Sequence, residues 1–136
     1  MFEIRYVSAD DKSFWYTLDK HISEEELDLK IRDKRGYVIS DSGKPIGLMR
    51  YNLFWDTIPF LTLIILEDAY HGKGFGTQAM AHWEDEMQRL GHKSVMTSTQ
   101  SDEKAQFFYR KIGYKDCGCL LQGDGEPLEI LLEKSF

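Results

Sequence analysis

A chain of 136 residues has the size of one domain, since single domains run to roughly 100–200 residues, and it can bury a core without a disulfide or metal staple. The composition, 42% hydrophobic and 29% charged, excludes a disordered chain. With 17 Lys+Arg against 23 Asp+Glu the net charge is −6, which excludes a general binder of nucleic-acid backbone, because that needs a basic face. The longest apolar run, Ile58 to Leu66, is broken by Pro59 and Thr62 and falls far short of the ~20 residues of a bilayer span. Glu3, Arg5 and Asp10 interrupt any signal-peptide core. The expectation is a cytoplasmic protein, residues 1–136 forming a single domain, with neither nucleic acid nor membrane as partner.

The elements follow from periodicity. Phe2 to Val7 alternates and predicts a strand. Ser8 to Asp11 supplies turn and cap chemistry for a helix carrying Phe14, Trp15 and Leu18. A second helix has a full start signal: Ser23 caps, Glu26 closes a capping box, and Ile22 and Leu27 sit at the staple positions. Gly36 is expected to end it. Tyr37–Ser40 and Pro45–Phe54 form a hairpin, and Thr57–Leu66, apolar on both faces, reads as the central strand. After a glycine-rich loop, Phe75, Ala79, Trp83, Met87 and Leu90 keep helical spacing up to Gly91. Lys93–Thr99 is a strand, Asp102–Ile112 a helix stopped by Gly113, and Tyr114–Leu121 with Leu128–Glu133 a final strand pair. The order β-α-α-β-β-β-α-β-α-β-β predicts an α/β fold with a mixed sheet.

The most informative segment is the central strand, the loop His71-Gly72-Lys73-Gly74-Phe75-Gly76, and the helix after it. Glycine lets main-chain N–H groups approach an anion closely. The first N–H groups of a helix also lack intrahelical partners and lie at the positive end of the macrodipole. A phosphate or pyrophosphate is the natural ligand. A Walker loop would need Gly-x-x-x-x-Gly-Lys-Ser/Thr, which is absent, and the dinucleotide fingerprint fails because Thr77 stands where its third glycine belongs. Without a ligand, the segment would be a tight turn and no more.

His71-x-x-Gly74-x-Gly76 resembles the Gln/Arg-x-x-Gly-x-Gly/Ala segment of the GNAT superfamily of acyl-CoA-dependent N-acetyltransferases. The stretch Asp102 to Tyr114 is similar to that family's Asn-x-x-Ala-x-x-Phe/Leu-Tyr-x-Lys-x-Gly-Phe motif. The resemblance is strong from Ile58 to Tyr114 and rests on topology elsewhere. It implies a mostly antiparallel central sheet flanked by helices, with acetyl-CoA as co-substrate and no metal. It also implies that Gly72, Lys73, Gly74, Phe75, Gly76 and Thr77 cradle pyrophosphate together with His71, which replaces the usual Gln or Arg. Ile64 and Leu66 would run along the pantetheine arm, the Leu66 N–H acting as donor to the thioester oxygen. Asp102 stands for the usual Asn, as a cofactor contact and as the N-cap of its own helix. Tyr109 would be the general acid that protonates the departing thiolate.

The resemblance implies a small-molecule or peptide amine as acceptor, and the acidic chain tilts this towards a cationic one. Dimerisation is common in the family, and the sequence leaves a homodimer open. Some members carry a carboxylate on the central strand as base, but Phe60-Leu61-Thr62-Leu63 has none. Thr62 holding a relay water is the remaining suggestion there. Glu24-Glu25-Glu26 reads first as helix-start chemistry and second as a lure for a cation. Trp15, Tyr16, Tyr51, Phe54 and Trp55 are core candidates that could also wall an amine pocket. Cys117 and Cys119 are read as inert strand cysteines, and His21, His82 and His92 lack metal-ligand spacing.

Overall fold

A computed structural model describes residues 1–136. Its elements are β1 (Phe2–Tyr6), α1 (Lys12–Leu18), α2 (Glu24–Asp33), β2 (Gly36–Asp41), β3 (Lys44–Phe54), β4 (Ile58–Leu66), α3 (Phe75–Arg89), β5 (Ser94–Gln100), α4 (Ala105–Lys111), β6 (Lys115–Leu120) and β7 (Glu129–Ser135). The order is the expected one. The seven strands follow one another as β1-β2-β3-β4-β5-β7-β6, so β4 is central. The β4–β5 ladder is parallel, and β1–β2, β2–β3, β5–β7 and β6–β7 are antiparallel. No helix is long and apolar enough to cross a membrane. The chain packs as two compact units: Met1–Asn52 with Thr62–Trp83, and Leu53–Leu61 with Glu84–Phe136.

In the first unit Val7, Trp15, Leu27, Val38 and Leu48 form a core, with Phe14, Leu18, Ile22, Ile31, Leu63 and Ile65 packed against it. The staple pair Ile22 and Leu27 thus both reach Trp15's neighbourhood. The α2 cap is present, Ser23 Oγ accepting from Glu26 N at 3.1 Å. A tighter box precedes α1. Ser8 N donates to Asp11 Oδ2 at 2.8 Å, while Arg5 grips both Asp11 oxygens at 2.7 and 2.8 Å.

The stop of α2 differs from expectation. Lys34, with φ 57°, takes the left-handed position, and Arg35 N returns to Lys30 O at 3.0 Å. Gly36 instead opens β2, where a Cβ would stand 2.8 Å from Val7 Cγ1. Its glycine serves close approach between strands, a reason that spacing along a helix does not reveal.

Asp19, at the end of α1, is 1% exposed. Its carboxylate accepts from Arg50 Nε at 2.8 Å, Trp15 Nε1 at 3.0 Å and His21 N at 3.1 Å. Every part of this buried charge is matched, as burial requires.

In the second unit a two-residue hairpin joins β3 to β4, closed by Thr57 N donating to Phe54 O at 3.1 Å. Both tip residues are left-handed, Trp55 at φ 53° and Asp56 at φ 61°, the geometry that favours Asn-Gly. Non-glycine residues are strained there. The substitution Asp56→Gly should therefore raise stability by about 0.5–1 kcal/mol. The check is a higher urea midpoint at unchanged slope.

The β4–β5 ladder consists of Phe60 opposite Met96 and Leu61 opposite Thr97, and Thr97 Oγ1 donates to Leu61 O at 3.0 Å. A bulge interrupts β6 between Asp116 and Gly118, so Cys117 is an extra residue and the simple alternation linking it to Cys119 is broken. Both cysteines are free and exposed as residues, and partial burial of the Cys117 sulfur, aided by the Glu133 and Asp116 charges, raises its pKa, the opposite of activation. The α3 helix ends at Arg89, leaving Leu90 exposed where helical spacing expected it inside. Gly91, at φ 96°, forms the stop.

Candidate active site

The first unit carries the glycine loop. Glu67 N donates to Ile46 O at 2.8 Å, holding the exit of β4 against β3. Gly47 makes this approach possible, since a Cβ there would stand 2.7 Å from Ile65 O. Ile64 and Leu66 are half-buried. A single turn, Asp68–Tyr70, follows. His71 then closes back: its N–H donates to Asp68 O at 3.2 Å, and its ring Nε2 lies 3.0 Å from Leu66 O. His71 straps the loop to the strand end.

Gly72 and Gly74 have φ of 74° and 89°, and a Cβ at either would meet nothing within 4 Å. Backbone conformation, not crowding, demands glycine, and the space above the loop is open. The first backbone bond of α3 runs from Gln78 N to Gly74 O at 3.1 Å. The N–H groups of Phe75, Gly76 and Thr77 therefore begin the helix without main-chain acceptors. Open room plus unpaired donors fits a phosphate group. Lys73 lies 5.7 Å from the Tyr70 ring centre, and Lys44 lies 5.8 Å from the same ring. Lys44 was not anticipated, because only the pairing of β2 with β3 brings that turn beside the loop.

The second unit carries Tyr109. It is 6% exposed. Burial pushes its phenol above the ordinary tyrosine value, contact with the Thr97 hydroxyl pulls the other way, and the Glu103 charge adds to the rise. The phenol is held protonated. Arg110 does not lower it: that guanidinium bonds Asp116 through Nε and Nη2, both at 2.9 Å, and Gln106 at 3.0 Å. Lys111 is exposed. Asp102 lies in an exposed turn ahead of α4, which starts at Ala105 instead of next to Asp102. Lys104 takes the N-cap position with no side-chain cap bond, and Gln106 Nε2 instead braces the turn ahead of the helix by donating to Ser101 O at 2.8 Å and Glu103 O at 2.9 Å.

Tyr114, where the family motif has Phe, gives its hydroxyl a partner of its own. The O–H donates to Glu84 Oε2 at 2.8 Å, and Lys134 Nζ donates to Glu84 Oε1 at 2.7 Å and to Ile112 O at 2.8 Å. Burial, then the Glu84 charge, raises the Tyr114 pKa strongly. This is a structural strut.

Among the other candidates, Trp15 and Tyr51 are core and Trp55 is 78% exposed. Glu24 stands 3.7 Å from Lys12, whose closer partner is Asp28 at 2.6 Å, so the acidic helix start has local electrostatic work. No group of three or more His, Cys, Asp or Glu side chains is placed to hold a metal ion. The acid-free stretch of β4 has one polar side chain, Thr62. Its Oγ1 accepts from Asn52 Nδ2 at 3.1 Å, and Asn52 Oδ1 accepts from Lys30 Nζ.

Comparison with known proteins settles the class. The model of the acetyltransferase (GNAT) family matches residues 3–114, and the chain belongs to that family. No curated protein sequence is significantly similar. Among solved structures, Ard1 from Thermoplasma volcanium superposes with TM-score 0.86 at 17% identity, covering 98% of this chain and 97% of that one. The ribosomal-protein-S18-alanine N-acetyltransferase from Escherichia coli gives TM-score 0.79 at 16% identity, covering 99% and 94%. A GNAT family acetyltransferase from Elizabethkingia anophelis, solved with acetyl-CoA bound, gives 0.77 at 16% identity, covering 99% and 98%. At such identities the likeness is one of fold.

Proposed function

We propose that the chain acts as one domain that moves an acetyl group from acetyl-CoA directly to an amine in a ternary complex. The observation that carries this is the loop at the start of α3. Gly72 and Gly74 are left-handed with open space above them, and three helix-start amides lack main-chain acceptors. The main-chain N–H groups from Gly72 to Thr77 receive the pyrophosphate, and the Lys73 and Lys44 charges stand beside it. His71 contributes by fixing the Leu66 carbonyl, leaving the Leu66 N–H as donor to the thioester oxygen. Ile64 and Leu66 lie along the pantetheine. Asp102 remains a candidate contact through its exposed side chain. Family membership and the acetyl-CoA-bound relative support the reading.

The chemistry needs a neutral amine, a polarised carbonyl and a proton for the leaving thiolate. Holding the two reactants in register is worth about 7–11 kcal/mol of barrier. Tyr109, kept protonated by burial, gives its proton to the sulfur as the thiolate leaves. The acceptor is a peptide or small-molecule amine, and the reaction takes place in the cytoplasm.

The test is a rise in melting temperature with CoA, followed by thiol release from acetyl-CoA with a panel of amines. A thermal shift with no turnover across the panel would mark a CoA-binding or sensing module instead, a reading favoured only by the missing carboxylate on β4. No shift at all would remove the cofactor.

A further inference from the structure

Lys30 is a buried lysine that acetyl transfer as described does not use. It is 7% exposed, and its ammonium meets no carboxylate at ion-pair distance, only the Asn52 carbonyl oxygen. Burial disfavours such a charge, so its retention asks for a reason. The hydrogen-bond inventory supplies one. A protonated lysine only donates, which obliges Asn52 to present Oδ1 to it. The other end of that amide, Nδ2, then necessarily faces Thr62 and donates to Oγ1 at 3.1 Å. Thr62 therefore spends a lone pair inward, and its single hydrogen, which has no acceptor in the protein, points away from Asn52. Thr62 and Asn52 are both exposed. Three residues on α2, β3 and β4 thus direct the hydrogen of one hydroxyl outward, where it can donate.

Thr62 lies two residues, about 7 Å of strand, before Ile64, where the pantetheine is proposed to run. We propose that Lys30, Asn52 and Thr62 form a polarity-setting relay that makes the enzyme favour amines flanked by a carbonyl oxygen, such as α-amino amides and peptide N-termini, over plain alkylamines. The inference rests on the acetyl-transfer reading above. Water satisfies the Thr62 hydrogen in the free protein. An arriving acceptor displaces that water, and one without a matching oxygen strands the donor. Sites built to hydrogen-bond a substrate group reject analogues lacking it far more strongly than apolar pockets reject a methylene. Thr62 is a candidate contact, and Lys30 and Asn52 are positioning residues.

Alaninamide and 3-methylbutan-2-amine, which replaces the planar carboxamide by an isopropyl group with the same number of heavy atoms, are the probes. Thiol release gives kcat/KM for each, and the ratio of the two, taken for a variant against the parent protein, cancels their different basicities. Thr62→Val should lower that ratio about tenfold or more, while Thr62→Ser keeps it within about threefold. Asn52→Asp is the sharper variant. A carboxylate accepts from Lys30 and also from the Thr62 hydroxyl, turning that hydrogen inward. The ratio should again fall about tenfold with Thr62 still in place, and the KM for acetyl-CoA should not move. Lys30→Met, which frees the amide to rotate, should give an intermediate loss. An unchanged ratio in both Thr62→Val and Asn52→Asp overturns the relay, as does failure of the parent protein to acetylate alaninamide while still binding CoA. Failure to bind CoA overturns the reading beneath it.

Discussion

Replacing Tyr109 by phenylalanine should lower turnover by about a hundredfold or more, the range expected on losing a positioned proton donor, with the KM for acetyl-CoA changed by less than about threefold. The two parameters separate because the phenol is asked to act only as the thiolate leaves, whereas the cradle for the phosphates lies on other residues. Packing should survive, since the ring keeps its contacts with Phe108 and Tyr114 and loses only the link to Thr97. Steady-state thiol release measures both numbers. A loss of only a few-fold would remove Tyr109 from its role. No cation lowers the pKa of the buried phenol, so in the proposed role its proton would pass in concert with departure of the sulfur. A phenol above its ordinary pKa gains nothing by giving its proton early.

The second large effect is structural. Asp19→Ala should cost about 3–5 kcal/mol, because it leaves Arg50, with a side chain 12% exposed, as an unpaired near-buried charge. It also orphans the Trp15 indole N–H. Should that variant not fold, Arg50→Met poses the same question from the other partner, and urea midpoints report either. The same carboxylate sets an acid limit. Burial alone would push the Asp19 pKa up, but the Arg50 guanidinium and the His21 and Trp15 N–H groups outweigh it and hold it below the ordinary value. A lowered folded pKa means the stabilisation is complete above the unfolded value near 3.9 and is lost as pH falls through the folded one. Asp11, lowered chiefly by Arg5, has the same sign. In Arg50→Met the stability curve below about pH 4 should be flatter than in the parent protein.

Much of this was legible in the chain itself. The element order followed from the change between periods of about 3.6 and 2, and β4 declared itself central by being apolar on both faces. The start of α2 was written in Ser23, Glu26 and the staple pair. What failed has a common cause. Gly36 and the start of α4 were assigned by local rules, while in the structure Gly36 lies tight against Val7 and the residues before Ala105 form a turn that Gln106 braces from within the helix. Likewise Lys44, Lys30 and Asn52 carry no local signal, because their meaning arises only from strand pairing and from the packing of α2. Departures from the family motif were easier to see than to interpret. Tyr114 in place of Phe is explained by Glu84, which lies thirty positions away.

Lys134 ties these threads together in the second unit. A helix of seven residues, as α4 is, has little tendency to persist alone in water. Its last turn is gripped at the Ile112 carbonyl by an ammonium that also anchors the Glu84 carboxylate, and with it the Tyr114 ring. The stillness of the segment bearing Tyr109 is thus borrowed from the far end of the polypeptide, and clipping the chain before its final strand would unmoor a residue some two dozen places upstream.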